Sequence, residues 1–184
     1  MLKGKLVSLR PVQKDDLKAM YDLEQNVELV QYSNGDWSPG PLAKREKDFD
    51  KDLERDEFSS FVIMANDIMI GGIGLHHKNR RESSSEFGIG IYHPDYVGKG
   101  YGREAIRLLL DWAFYDQNWR RIWLEALAVN ERAVRAYRGL GFVEEGRLRA
   151  HAFFRGEYVD VFVMGMLREE WDAGRGTRAE KSAA

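Results

Sequence analysis

A chain of 184 residues, 43% of them hydrophobic, is long enough for one domain with a full core and too short for two ample ones. Its 28 basic and 30 acidic residues leave a net charge of -2, which argues against the basic footprint of a nucleic-acid binder and leaves small cationic substrates open. There is no cysteine, so disulfides, thiolate metal sites and a cysteine nucleophile are excluded whatever the fold.

The first ten residues, Met1 to Arg10, lack the apolar core of a leader peptide. No run approaches the roughly 18 apolar residues of a membrane span. The expectation is a cytosolic enzyme or binding domain, with no nucleic-acid or membrane partner. Lys5 to Arg10 read as a short strand closed by Pro11, and Asp15-Asp16 open a helix carrying Leu17, Met20, Tyr21 and Glu24. From Asn26 to Pro41 the text is irregular, with Trp37 in a glycine- and proline-rich loop where it either caps the core or lines a substrate mouth. A charged helix follows from about Leu42 to Glu57, touching the core through Leu42, Phe49 and Leu53. The acidic residues between Asn26 and Glu57 either form a mouth for a cationic substrate or are simply solvated.

Phe58 to Ala65 and Ile68 to His76 are two strands joined across Asn66-Asp67, a hairpin signal. In the next strand, Ser84 to Tyr92, alternation sets Phe87, Ile89 and Ile91 on one face and Glu86, Gly88, Gly90 and Tyr92 on the other. The two glycines leave that second face partly bare, so a ligand or a closely packed helix is expected against it. Three glycines then alternate in Val97-Gly98-Lys99-Gly100-Tyr101-Gly102-Arg103, where the strand pattern gives way to a helix pattern over Gly102 to Asp116. Glycine permits positive φ and close approach, and a helix start offers unpaired N–H groups and a positive dipole end, so the loop is suited to an anion. A nucleotide P-loop needs Ser or Thr after its lysine, and a dinucleotide fingerprint needs two residues between its last two glycines. Gly100 and Tyr101 fail these two tests, which leaves a pyrophosphate seated on the amides of residues 98–103, with Lys99 and Arg103 near enough to add charge.

Arg121 to Val129 read as a strand, and Asn130 stands at the N-cap of a helix that ends at Gly141. Asn130 and Tyr137 are seven residues apart, close to two turns, so they share a face about 10 Å apart. Phe142 to Ala152 and Tyr158 to Leu167 form a hairpin across Arg155-Gly156, and the residues after Trp171 are small and polar. His76 and His77 are adjacent on a strand and point to opposite faces, so no metal pair is expected. His93 and His151 read as surface or packing residues.

The run from Val97 to Ala105, followed by Asn130-Glu131-Arg132-Ala133-Val134-Arg135-Ala136-Tyr137-Arg138-Gly139-Leu140-Gly141-Phe142, resembles the GNAT N-acetyltransferase superfamily. Within it, the chain is similar to the branch of ribosomal-protein N-terminal acetyltransferases and spermidine N-acetyltransferase. The likeness spans most of residues 3–170. It implies an α/β (α+β) fold with a mixed, mainly antiparallel sheet of about seven strands and helices on both faces. One domain over residues 1–171 and a polar tail over 172–184 are then expected.

The resemblance also implies acetyl coenzyme A as co-substrate and no metal. Its pyrophosphate would sit on Val97, Gly98, Lys99, Gly100, Tyr101, Gly102 and Arg103, and its arm along Ile89, Ile91 and Tyr92. Asn130 would hydrogen-bond the arm, and Tyr137 would sit near the thioester sulfur. Val97 stands where the family usually has glutamine or arginine, which removes a side-chain contact but no backbone donor. Transfer to an amine needs a neutral nucleophile, a stabilised oxyanion and a proton for the thiolate. Without cysteine, direct attack in a ternary complex is the natural route. Tyr137 is the expected general acid, a backbone N–H near Ile91 the oxyanion donor, and Glu86 the base, unless Glu86 only holds a cationic substrate or makes a structural salt bridge. The acceptor, a protein N-terminus, a polyamine or a small amine, stays open. The alternative is a non-catalytic acyl-CoA-binding module, and the aromatic C-terminal hairpin favours a homodimer.

Overall fold

The computed structural model describes residues 1–34, 40–54 and 59–174. Eight strands form one sheet in the order β1-β2-β3-β4-β5-β6-β8-β7. They are β1 (Leu2–Lys3), β2 (Ser8–Pro11), β3 (Ser60–Ala65), β4 (Ile68–Asn79), β5 (Ser84–Ile91), β6 (Arg121–Leu127), β7 (Val143–Phe154) and β8 (Glu157–Leu167). Every neighbouring pair is antiparallel except β5 and β6. The strand expected over Lys5 to Arg10 begins only at Ser8, and β1 is a further short strand before it: Gly4 N–H donates to the Val7 carbonyl at 2.8 Å and turns the chain between the two. Asn66 and Asp67 at φ 49° and 61° make the tight β3–β4 turn, and Arg155 and Gly156 at φ 50° and 94° make the β7–β8 turn.

Helices cover both faces. α1 (Asp16–Leu23) and α3 (Leu42–Glu54) lie on one, where Val12, Leu17 and Val62 form a small core packed by Met20, Leu42, Phe49 and Met64. α4 (Tyr101–Asp111) and α5 (Glu131–Leu140) belong to the larger core on the other, with Ile63, Phe87, Ile106, Leu110 and Tyr137. β3 serves both: Phe61 and Ile63 face the large core, and Val62 the small one.

Several expectations need correcting. Leu53 is 52% exposed and does not reach the core. The Asn26–Pro41 stretch is not wholly irregular, because α2 (Val27–Asn34) occupies its first half, capped where Leu29 N–H donates to Asn26 Oδ1 at 3.3 Å. Eight residues with one buried valine carry too weak a period to be read locally. α4 ends in a π-helical turn over Trp112–Asp116, closed by Gln117 N–H on the Trp112 carbonyl at 3.0 Å. Residues 168–174 are helical, and Trp171, just before the expected tail, is buried, its indole N–H donating to Asp111 Oδ1 at 2.9 Å. The role weighed for Trp37, the starts and ends expected at Phe58 and Glu57, and residues 175–184 lie outside the described residues. No described helix is long and apolar enough to cross a membrane.

Candidate active site

β5 and β6 pair over only Ser84↔Arg121, Ser85↔Ile122 and Glu86↔Trp123, although both strands run on. Beyond Glu86 they diverge and open a gap in the middle of the sheet. Tyr92 N–H donates to the Ile70 carbonyl at 2.9 Å on the β4 side. Alternation in an antiparallel ladder therefore turns the N–H and C=O groups of Phe87, Ile89 and Ile91 toward the gap. A strand edge with no partner strand is a template for an extended, amide-bearing ligand.

At the far end of β5 the chain enters the glycine loop. Gly98 and Gly100 have φ of 77° and 93°. An added Cβ at Gly98 would meet nothing within 4 Å, so backbone conformation, not crowding, requires glycine there. Gly100 is the N-cap of α4, with no side chain capping the helix. Glu104 N–H donates to the Gly100 carbonyl at 3.1 Å and begins the helical bonding, so the amides before it lie in the first turn, where a helix leaves its donors to an outside partner. The first turn of α4 is tied to the segment between β1 and β2. The Glu104 carboxylate accepts from the backbone N–H groups of Lys5, Leu6 and Val7 at 2.9, 2.6 and 2.8 Å.

A cavity of about 680 Å³ joins the gap to the loop. Glu86, Ile89, Ile91 and Tyr92 of the predicted set line it from β5, and Val97, Gly98, Gly100, Gly102 and Arg103 from the loop. Asn130 and Tyr137 line it from α5. Lys99 and Tyr101 are not among its walls; the Tyr101 ring instead packs edge-on against Tyr96 at 5.0 Å. The bare face predicted on β5 is filled first by the chain itself. A Cβ on Gly90 would fall 2.1 Å from Tyr92 Cζ, and one on Gly88 would fall 3.2 Å from His76 Nε2.

Tyr137 is 9% exposed, and burial pushes its phenol up to about 12. Its ring stands edge-on to Phe87 at 5.8 Å and Phe142 at 6.0 Å, which fixes it on the α4–α5 side of the sheet. Glu86 alternates with Phe87 and so lies on the opposite face, reached through the gap. Its Oε2 is 2.5 Å from His77 Nδ1. Opposite Glu86 in register, His76 has its pKa lowered by burial, with Glu86 pulling the other way. Glu24, ion-paired to Arg45, and Glu125 also line the cavity. Arg132 and Arg135 join Arg103 as its cations. The walls thus combine carboxylates suited to an ammonium group with amides and guanidiniums suited to phosphate.

Sequence reasoning missed His76, Glu125, Arg132, Arg135 and the wall made by Met20, Glu24, Leu29 and Tyr32. Glu125 was within reach, since alternation in β6 sets it opposite the buried Leu124 and Ala126. The wall from α1 and α2 has no local signature.

A sheet parted between two parallel strands, with an uncapped glycine-rich helix start at one end and a protonated phenol beside the gap, defines a coenzyme-dependent acyl transferase. Residues 7–143 match the acetyltransferase (GNAT) domain family, and the chain belongs to it. It is an acetyl-CoA-dependent N-acetyltransferase, not merely a binding module. Among relatives, the spermidine N(1)-acetyltransferase of Vibrio cholerae is 31% identical over 169 residues, covering 90% of this chain and 95% of that protein. The Vibrio cholerae enzyme solved with CoA and spermine superposes with a TM-score of 0.84 at 29% identity, over 91% of this chain and 99% of that one. A dodecameric structure of the same enzyme gives a TM-score of 0.80 at 30% identity, over 91% and 97%. The expected dimer finds no support in that relative.

Proposed function

We propose that this chain transfers the acetyl group of acetyl-CoA to a primary amine of a small polyamine, by direct attack in a ternary complex. The observation that carries the reading is the single cavity in which cations and loop amides meet carboxylates around Tyr137. The amides of residues 98–103, with Arg103, suit the pyrophosphate. The edge groups of Ile89 and Ile91 suit the arm, and an N–H there suits the oxyanion. Glu24, Glu86 and Glu125 suit a polycation.

In the reaction the neutral amine nitrogen attacks the thioester carbon, the C–S bond breaks, and the phenol of Tyr137 donates to the departing sulfur. Glu86, linked to His77, receives the amine proton or passes it to solvent. The test is coenzyme release from acetyl-CoA with spermidine, an N-terminal peptide and simple monoamines. Spermidine turnover well above the others is expected, and absence of turnover on every polyamine would refute the acceptor assignment.

We also place the chain in the cytosol, which cell fractionation tests. Its self-association extends beyond a dimer, a reading supported by the dodecameric relative and by Phe153 and Tyr158, 58% and 71% exposed and packed edge-on at 5.4 Å. Light scattering that returned a monomer or a dimer would overturn it.

A further inference from the structure

Alternation along β4 would send His76 and His77 to opposite faces, but the strand is irregular there. Its register with β5 runs from Gly71↔Ile91 to His76↔Glu86, then shifts before Asn79↔Ser84, and His77 has φ 44°. Residues directly opposite in an antiparallel ladder share a face, so His76 lies beside Glu86. The irregularity brings His77 to the same carboxylate, with Nδ1 2.5 Å from Glu86 Oε2. Glu86 is thus flanked by two imidazoles. Among the described residues no three His, Asp or Glu side chains are arranged to hold a metal ion, so this cluster is one of proton-carrying groups.

The two rings are placed differently. The His77 side chain is 78% exposed and opens to bulk water, and His77 is not a wall of the cavity. His76 is one, and a Cβ on Gly88 would fall 3.2 Å from its Nε2. The ring therefore leans along β5 past Glu86, over the stretch where β6 no longer pairs, and Gly88 leaves it room to do so. Ser85 Oγ donates to the His76 carbonyl at 2.7 Å and fixes the backbone that carries the ring. The charged and titratable groups around it are Glu86 from β5, Asp52 from α3, and His77 and Lys78 from its own strand. Desolvation by the surrounding protein outweighs the pull of the two carboxylates, so the ring is neutral at pH 7. Tyr137 stands on the other side of the sheet, so a carbonyl lying in the gap has a proton acceptor on one face and a proton donor on the other.

We propose that His76 is a catalytic residue: its Nε2 takes the proton of the acceptor amine, and Glu86 and His77 carry that proton on to water. The assignment rests on the acetyl-transfer reading above. As the amine nitrogen bonds to the thioester carbon, one N–H bond breaks and its proton moves to Nε2. The C–S electrons go to sulfur, which leaves hydrogen-bonded to the phenol of Tyr137. The proton that reaches water through Glu86 and His77 balances the one the thiol gains, so no further reactant is needed.

His76→Gln tests this, because glutamine keeps a polar side chain in the wall and cannot take the proton. The expected result is a kcat on spermidine lowered about 100-fold, the low end of what a positioned base contributes. The KM values for spermidine and acetyl-CoA should stay within about threefold. In the wild type kcat should rise with pH through a midpoint below the usual histidine value of about 6.5, and that limb should be absent from His76→Gln above about pH 5. His76→Ala leaves a space beside Gly88, and free imidazole added to it should restore the rate at least tenfold. A kcat for His76→Gln within about threefold of wild type, or an unchanged acid limb, would overturn the proposal. A loss in His76→Ala that imidazole does not relieve would show that the ring only supports the wall, and would overturn it too. A wild-type chain silent on every amine would bring down the acetyl-transfer reading and this assignment with it, whereas an active wild type with an equally active His76→Gln brings down the assignment alone.

Discussion

Replacing Tyr137 by phenylalanine removes one oxygen and keeps the ring's edge-on contacts with Phe87 and Phe142, so the variant isolates the phenol. The raised pKa of about 12 sets the size of the effect. Against a thiol of pKa about 8.5, full proton transfer from such a phenol is uphill by at most about 5 kcal/mol, a gap that narrows because the same dry site also raises the thiol. The phenol therefore acts chiefly as a hydrogen-bond donor to the developing thiolate. A hydrogen bond to a charged group contributes about 1.5–3 kcal/mol, so Tyr137→Phe should lower kcat about 10- to 150-fold with acetyl-CoA affinity unchanged. Single-turnover coenzyme release and direct binding separate the two quantities. A loss below about threefold would refute the role, and a loss beyond about a thousandfold would show that the proton is fully transferred.

The same shift predicts behaviour in alkali. The folded phenol keeps its proton to about 12, and the unfolded one loses it near 10, so between those values the unfolded state binds fewer protons and stability falls as pH rises. The fall reaches about 2–3 kcal/mol and is absent in Tyr137→Phe, which urea titrations at pH 9 and 12 would show.

Other positions yield further expectations. Gly100→Ala forces a side chain onto φ 93° and should cost about 1–2 kcal/mol while raising the acetyl-CoA KM, read by thermal melting and kinetics. Glu86→Gln leaves His77 with a neutral partner and should weaken spermidine more than a simple monoamine, which carries no charge beyond its acceptor amine; equal effects on both would argue for a base alone, without a part in holding the polycation. Glu104→Ala strips the acceptor from three backbone N–H groups and should destabilise the fold by about 2–4 kcal/mol, with Glu104→Gln intermediate, measured by denaturant unfolding.

Features with a local cause were legible in the sequence. Positive φ at Gly98, Gly100 and Gly141, the Asn130 cap and the Asn66-Asp67 turn each follow from the residue that occupies the position. Features that depend on where distant segments meet were not. Nothing around Glu86 says that β6 leaves β5 at Trp123, yet that divergence makes the site. Gly88 and Gly90 correctly signalled a close approach, but the approaching groups are His76 and Tyr92, one from the next strand and one two residues on. Asn130 was recognised as a cap, and its second bond, to Tyr32 some hundred positions earlier, has no trace in either segment.

The parting of β5 from β6 also makes the sheet unevenly strong. β4 joins β5 through seven residue pairs and β6 joins β8 through seven, whereas the two halves meet through three. Under denaturant or mechanical load the sheet should yield along this seam, with β1–β5 and β6–β8 as the parts that separate. An extended ligand lying in the gap acts as a missing strand, bonding to edges that have no other partner there. Saturating coenzyme should then strengthen the protein along its weakest line, beyond the rigidity it gives to the glycine loop.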